Sequence, residues 1–306
     1  MIDPVTLIVA LIAASTPILL AAIGELVVEK SGVLNLGVEG MMIMGAVCGF
    51  AIAVNTGSPW IGFVAGAIGG AALSMIFAFL TQVLLSNQVA TGLALTLFGL
   101  GLASLIGEGY SGINPPLTPD LFPQAMREIP VIGPILFGHD IIIYFSILLV
   151  AAVWVFLYST RAGLILRAVG ESHDAAHALG YKVIRIRFMA IAFGGACAGL
   201  GGAYLSLVRV PSWTEGMTAG AGWIALAIVV FASWKPWRAL IGAYLFGGIA
   251  ALQLRLQAAE ISVPVWVLDS SPYIVTIIVL VIISSDKTRS ALNAPAALGR
   301  VFHSTR

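Results

Sequence analysis

The chain has 306 residues, 59% of them hydrophobic and only 9% charged, with a net charge of +1 at pH 7 and a mean hydropathy of +1.03. Soluble domains carry roughly a quarter charged residues, so this balance excludes a soluble protein and implies a polytopic membrane protein. The 15 Lys and Arg are scattered between apolar runs, which excludes a nucleic-acid footprint, since that needs a clustered basic face.

Met1-Ile2-Asp3-Pro4 has no positive n-region, and the apolar run after it lacks an A-x-A cleavage site, so it reads as a first transmembrane helix. Windows of about 20 apolar residues match a hydrocarbon core of about 30 Å. Nine such windows follow in order, at about 5–24, 38–54, 59–85, 88–107, 139–158, 188–208, 218–233, 238–256 and 270–285. Turn chemistry separates them, as at Asn55-Thr56-Gly57-Ser58-Pro59 and Ser86-Asn87-Gln88. The fold class is therefore all-α and polytopic, with about nine transmembrane helices. Residues 1–286 form one membrane domain and 287–306 a tail. Residues 25–37 read either as a loop or as a broken helix dipping into the membrane.

Cys48 and Cys197 lie among small apolar residues and indicate neither a disulfide nor a metal cluster. Gly62, Gly66 and Gly70, and then Gly195, Gly199 and Gly202, recur at spacings that let helices approach closely in lipid. The Lys and Arg count sets orientation. With the N-terminus outside, twelve basic residues, including Lys30, Arg161, Arg167, Arg185, Arg187, Lys235 and Arg300, share one face, and Arg127, Arg209 and Arg255 the other. That bias places 159–187 and the tail in the cytosol and the Pro-rich loop 108–138 outside.

One polar stretch, Glu171-Ser-His-Asp-Ala-Ala-His-Ala-Leu-Gly180, stands out. Its His173-Asp174-x-x-His177 spacing approaches the H-E-x-x-H pattern that presents two zinc ligands and a general base on one helix. The Asp is short, the flanks are basic, and His139 and His303 supply no obvious third ligand, so zinc hydrolysis is a remote alternative and no metal site is expected. Read instead as structure, Ser172 is an N-cap, Asp174 sits near the positive end of the dipole and Gly180 closes the helix. A helix of about two turns results, with Ala175, Ala176 and Leu179 on one side as a docking face. His173 and His177 then fall on solvated or partner-facing sides.

Asp174-Ala175-Ala176-x-x-x-Gly180 resembles the E-A-A-x-x-x-G coupling element of membrane subunits of ATP-binding-cassette importers. Ser31-Gly-Val-Leu-Asn-Leu-Gly-Val-Glu-Gly-Met-Met42, preceded by Gly24-Glu25-Leu26, supports the likeness, as does Gly220-Ala-Gly-Trp-Ile-Ala-Leu-Ala227 continuing to Ser233-Trp-Lys-Pro236. Together they are similar to the branched-chain amino acid and simple-sugar permease superfamily, in its nucleoside-type branch that works with a basic-membrane-protein-like binding lipoprotein. The resemblance implies a non-enzymatic transport subunit in the cytoplasmic membrane, moving nucleosides or related sugars by alternating access. It also implies a cytosolic ATPase holding ATP and Mg, a second homologous permease subunit in a heterodimer, and an external binding lipoprotein. The chain itself has no G-x-x-x-x-G-K-[ST] phosphate cradle and binds no cofactor in this reading.

Ser172, Asp174, Ala175, Ala176, Leu179 and Gly180 are the candidate coupling residues. Asn35 and Glu39 either line the translocation path or cap a helix break. Trp213 and Glu215, on the outer side, are gate, binding-protein-contact or interface-anchor candidates, and Trp234 and Trp237 read as belt residues. Val38-Glu39-Gly40-Met41 and Thr214-Glu215-Gly216-Met217 start short spans from opposite faces, as an inverted repeat would. A secondary carrier without an ATPase is the transport alternative, with Glu39 the one candidate ion-coupling carboxylate.

Overall fold

The computed structural model describes residues 3–119, 121–258 and 293–303, together with Trp266, Val267, Ser270, Ile274, Ile277, Ile278 and Val281. Among the described residues eleven α-helices run in chain order: α1 Pro4–Lys30, α2 Val38–Thr56, α3 Pro59–Ala78, α4 Gln88–Gly107, α5 Gln124–Arg127, α6 Ile141–Ser159, α7 Arg161–Glu171, α8 His173–Ala178, α9 Val183–Tyr204, α10 Ala221–Phe231 and α11 Pro236–Ala258. A π-turn prolongs α3 to Val83 and another prolongs α9 to Arg209. Side-chain N-caps at Asp3, Asn87, Asp140 and Thr160 start α1, α4, α6 and α7 by satisfying backbone N–H groups that a helix leaves unpaired.

Among the described residues, six helices are long and apolar enough to cross a membrane: Pro4–Lys30, Val38–Thr56, Pro59–Val83, Gln88–Tyr110, Ile141–Ser159 and Val183–Arg209. Most of the ninth expected window lies outside the described residues. The seventh, 218–233, is a different object from the full span expected. Its helix, α10, has 11 residues, so at 1.5 Å per residue it is roughly 16 Å long, about half a bilayer core. The chain before it, from 210 to 220, is non-helical. The two Glu-Gly-Met stretches also differ: Glu39 lies in the first turn of α2, whereas Glu215 lies in a turn ahead of α10. They share no conformation that a repeat would impose.

Residues 25–37 are neither a solvated loop nor a broken helix from residue 25. Helix α1 continues to Lys30, and the non-helical connection 31–37 is almost wholly buried. Buried backbone must find partners, and here they come from side chains. The Leu34 N–H donates to Gln88 Oε1 at 2.8 Å, and the Gly37 N–H donates to Asn35 Oδ1 at 2.9 Å.

The core is built where α2, α3 and α9 meet, with α1 packed between α9, α10 and α11. Glycines make this possible. A Cβ on Gly202 would collide with the Met42 carbonyl, and one on Gly199 would collide with the Gly66 carbonyl and press on the Gly70 Cα. The helix backbones therefore touch directly, which maximises dispersion contact in a medium where lipid removes the hydrophobic drive. The flanks of the bundle carry Ile61, Val64, Ile68, Leu93, Leu97 and Leu148 as exposed side chains. Replacing Gly199 by Leu is expected to force α3 and α9 apart at a cost of about 3 kcal/mol or more. Size-exclusion profiles of the detergent-extracted protein check this, and an unchanged monodisperse peak with unchanged thermal stability refutes it.

Candidate functional site

Glu39 organises the half-length helix. Its side chain is only 3% exposed. Oε1 accepts from Thr218 Oγ1 at 2.6 Å and from the Gly220 N–H at 2.8 Å, and Oε2 accepts from the Gly222 N–H at 2.7 Å. A carboxylate at a helix N-terminus satisfies orphan donors and meets the positive end of the dipole. Glu39 thus caps α10 from the first turn of α2. Gly222 packs so closely on the Glu39 backbone that a Cβ there would overlap it.

Asn35 is fully buried and likewise committed. Its amide N–H donates to Glu25 Oε1 at 3.3 Å and its Nδ2 lies 3.4 Å from Met41 Sδ. Glu39 thus bonds as a cap on α10, whereas Asn35 bonds within the turn that leads into α2, where Gly37 is the N-cap without a side-chain bond. At the far end of α10, Ser233 and Trp234 adopt φ +48° and +56°, a left-handed conformation that costs a non-glycine residue about 1–3 kcal/mol. Trp234 Nε1 donates to Glu29 Oε2 at 2.5 Å, and the indole is buried. Trp234 is therefore a lock on the exit of α10 and not a belt residue, while Trp237 is exposed.

Trp213 and Glu215 border a cavity of about 550 Å³ shared with Ser104, Glu108, Ser111 and Thr214. The Ser104 hydroxyl donates to Glu215 Oε1 at 2.6 Å. Trp213 is no exposed interface anchor. Its ring is buried over Gly107, where any Cβ would strike the indole, and its backbone bridges Ser111. The cavity offers hydroxyl and carboxylate groups beside a buried aromatic edge, a chemistry suited to polyhydroxylated solutes.

The 171–180 stretch forms α8, six residues long. Ser172 Oγ accepts from the Ala175 N–H at 3.3 Å, and Gly180 adopts φ +85°. The expected single docking face does not form. Ala176 turns inward against Val169, Val183 and Phe302, and His173 is buried with it, whereas Asp174, Ala175, His177 and Leu179 are exposed. A six-residue helix packed on a neighbour must direct one side inward, and here that side is His173 with Ala176. The two histidines do not converge on a common ligand position: both stack edge-on to Phe302, at 5.4 and 5.3 Å between ring centroids. Among the described residues no group of three or more His, Cys, Asp or Glu gathers to hold a metal.

Arg187 joins these parts and is fully buried. Its Nε donates to the Ser31 carbonyl at 3.2 Å, Nη1 to Gln82 Oε1 and to the Arg300 carbonyl, both at 3.2 Å, and Nη2 to His173 Nδ1 at 3.3 Å. Arginine has no acceptor, so His173 Nδ1 must be the unprotonated nitrogen. Its Nε2 carries the proton and points toward Asp174 Oδ1, 3.6 Å away. Sequence spacing could not single out Arg187, since a cation among Lys182 and Arg185 satisfies the positive-inside bias whether it is solvated or buried.

Helices that do not span the full bilayer recur in transport proteins, where they leave polar backbone at membrane depth. The chain belongs to the family described as the permease component of the branched-chain amino acid transport system, whose model matches residues 7–284. A permease protein of Haloferax volcanii provisionally named for glucose ABC transport is 44% identical over 257 residues, covering 83% of this chain and 78% of its own. The guanosine ABC transporter permease protein of Bacillus subtilis is 32% identical over 295 residues, with 91% and 90% covered. The nucleoside ABC transporter permease protein of Lactococcus lactis subsp. cremoris is 31% identical over 281 residues, with 87% and 88% covered. No solved structure matches the chain.

Glu39→Ala is expected to strand the donors of Thr218, Gly220 and Gly222 and to cost about 3 kcal/mol, read as a lower melting temperature of the purified protein. An unshifted melt contradicts the cap. Burial first, and then the Arg187 guanidinium, hold the His173 pKa below its usual value, against the opposing pull of Asp174. A lowered pKa means the unfolded form binds the proton more readily, so the attachment of α8 is complete above about pH 6.5 and weakens as pH falls below it. The protection factors of amides 173–179, corrected for the slower intrinsic exchange at low pH, are expected to fall from pH 7 to pH 5, and His173→Gln to flatten that dependence.

Proposed function

We propose that this chain is a permease subunit of an ATP-binding-cassette importer for nucleosides or related simple sugars. The observation that carries the proposal is similarity along nearly the whole chain to permeases named for guanosine and nucleosides, joined to a similarity over 83% of the chain to one named for glucose. The outer cavity, with Ser104, Glu108, Thr214 and Glu215, supports a path for a hydroxyl-bearing solute. Asn35 and Glu39 shape that path from behind by fixing α10, and Trp213 and Glu215 stand at its outer mouth.

In this reading the chain crosses the cytoplasmic membrane nine times, with the N-terminus outside and the C-terminus in the cytosol. Two observations support it: twelve of the 15 basic residues fall on one side of that topology, and Ala297 and Gly299 bond to Gly170 and Gly32, beyond the far end of α1 from its N-cap Asp3. Helix α8, with Asp174, Ala175 and Leu179 exposed, is the coupling element on which a cytosolic ATPase acts. The ATPase holds ATP and Mg; a second homologous permease subunit completes the gate, and an external lipoprotein delivers solute. Residues 1–286 are the permease domain, and this chain performs no catalysis.

The complex reconstituted in proteoliposomes is expected to accumulate labelled guanosine or glucose only with ATP inside the ATPase compartment and binding protein opposite. Competition between the two labels assigns the solute class. Accumulation driven by a proton or sodium gradient without ATP refutes the proposal.

A further inference from the structure

Helix α8 has too little substance to transmit force by itself. Six isolated residues do not sustain a helix in water, only His173 and Ala176 face the protein, and the flanking residues Ser172, at φ −150°, and Gly180, at φ +85°, are natural pivots. Ala176 contributes one methyl group, so some other side chain must fill the space beneath the helix. That side chain is Phe302, 5% exposed, lodged against Val169, Ala176 and Val183 and between the rings of His173 and His177.

The segment that delivers Phe302 is fastened along its length. Lys30 Nζ donates to the Asn293 carbonyl at 2.9 Å, the Ala297 N–H to the Gly170 carbonyl at 2.9 Å, the Gly299 N–H to the Gly32 carbonyl at 3.1 Å, and Arg187 Nη1 to the Arg300 carbonyl at 3.2 Å. These partners belong to the end of α1, the α1–α2 connection, the end of α7 and α9. One short segment thus ties the coupling helix to the connection that leads, through Asn35, to Glu39 and the cap of α10.

We propose that residues 293–303 are a working part of the coupling apparatus: Phe302 wedges α8 against α7 and α9, where His173 meets Arg187, and the bond from Gly299 to Gly32 joins that wedge to the 31–37 connection, so that displacement of α8 moves the transmembrane core instead of rocking α8 about its pivots. This rests on α8 being the coupling helix. Phe302 is a positioning residue, and its removal separates ATP hydrolysis from uptake.

Two measurements on the assembled, reconstituted complex test the idea. Phe302→Ala is expected to lower uptake per ATP hydrolysed about tenfold, within the 5- to 150-fold range of site-to-site coupling, with hydrolysis persisting, and Phe302→Leu to restore most of it. A normal ratio in Phe302→Ala, or equal losses of uptake and hydrolysis, overturns the proposal. Independently of any variant's folding, amide exchange on the wild-type complex is expected to show Ala175 and Ala176 changing together with Ala297 and Gly299 when the ATPase is trapped with nucleotide and vanadate. Protection of α8 with no response in 296–300 overturns the role of the tail and leaves the coupling helix standing. No protection of α8 by the ATPase overturns the coupling helix itself, and this inference with it.

Discussion

A guanidinium buried without solvent is the constraint around which the end of this protein that carries α8 is arranged. Desolvating a cation costs several kcal/mol unless its donors are met, and Arg187 meets neutral acceptors on four segments: the Ser31 and Arg300 carbonyls, the Gln82 amide and the His173 ring. Each acceptor is remote in sequence from the others, so the charge can be satisfied only when the α1–α2 connection, the end of α3, α8 and the C-terminal segment have all assembled. The same requirement holds these segments together, because separating any one of them leaves a buried donor unmatched.

The opposite sign of charge does comparable work deeper in the bundle. Glu39 holds the N-terminus of α10 through three hydrogen bonds, and Trp234 with Glu29 holds its other end in a left-handed turn. A half-length helix in an apolar bundle is otherwise a liability, since its backbone donors have no water to meet. Clamped at both ends, α10 becomes an element whose position is set by α2 and α1.

Much of the architecture was legible in the sequence, because long apolar windows and turn residues report spans directly: α1, α2, α3, α4, α6 and α9 lie where hydropathy places them. The two-turn helix after Ser172 was legible for a local reason, the N-cap and a glycine at the left-handed close. What local pattern cannot carry is the direction a side chain faces. Periodicity puts Leu179 on a shared docking face with Ala176, and His173 on a solvated or partner-facing side, because it does not say which side meets the protein. Phe302, in an unpatterned tail, was invisible, since its role comes from a contact with residues more than a hundred positions away. The length of α10 was hidden because 218–220 continue its apolar composition while Gly220 at φ +84° breaks the helix. Glu39 is legible as an expensive charge near the membrane, but its bonds to Thr218, Gly220 and Gly222 are not, because those partners lie far along the chain.

The central claim is that α8, the 31–37 connection and α10 form one mechanical unit joined by Arg187 and Glu39. Structures of the complete complex by electron cryomicroscopy, nucleotide-free and trapped with ATP, test it most directly. The account predicts α8 seated on the ATPase in both states, the Arg187–Ser31 and Glu39–Gly222 bonds retained, and the three segments displaced together. Movement of α8 with the connection and α10 left in place would contradict it.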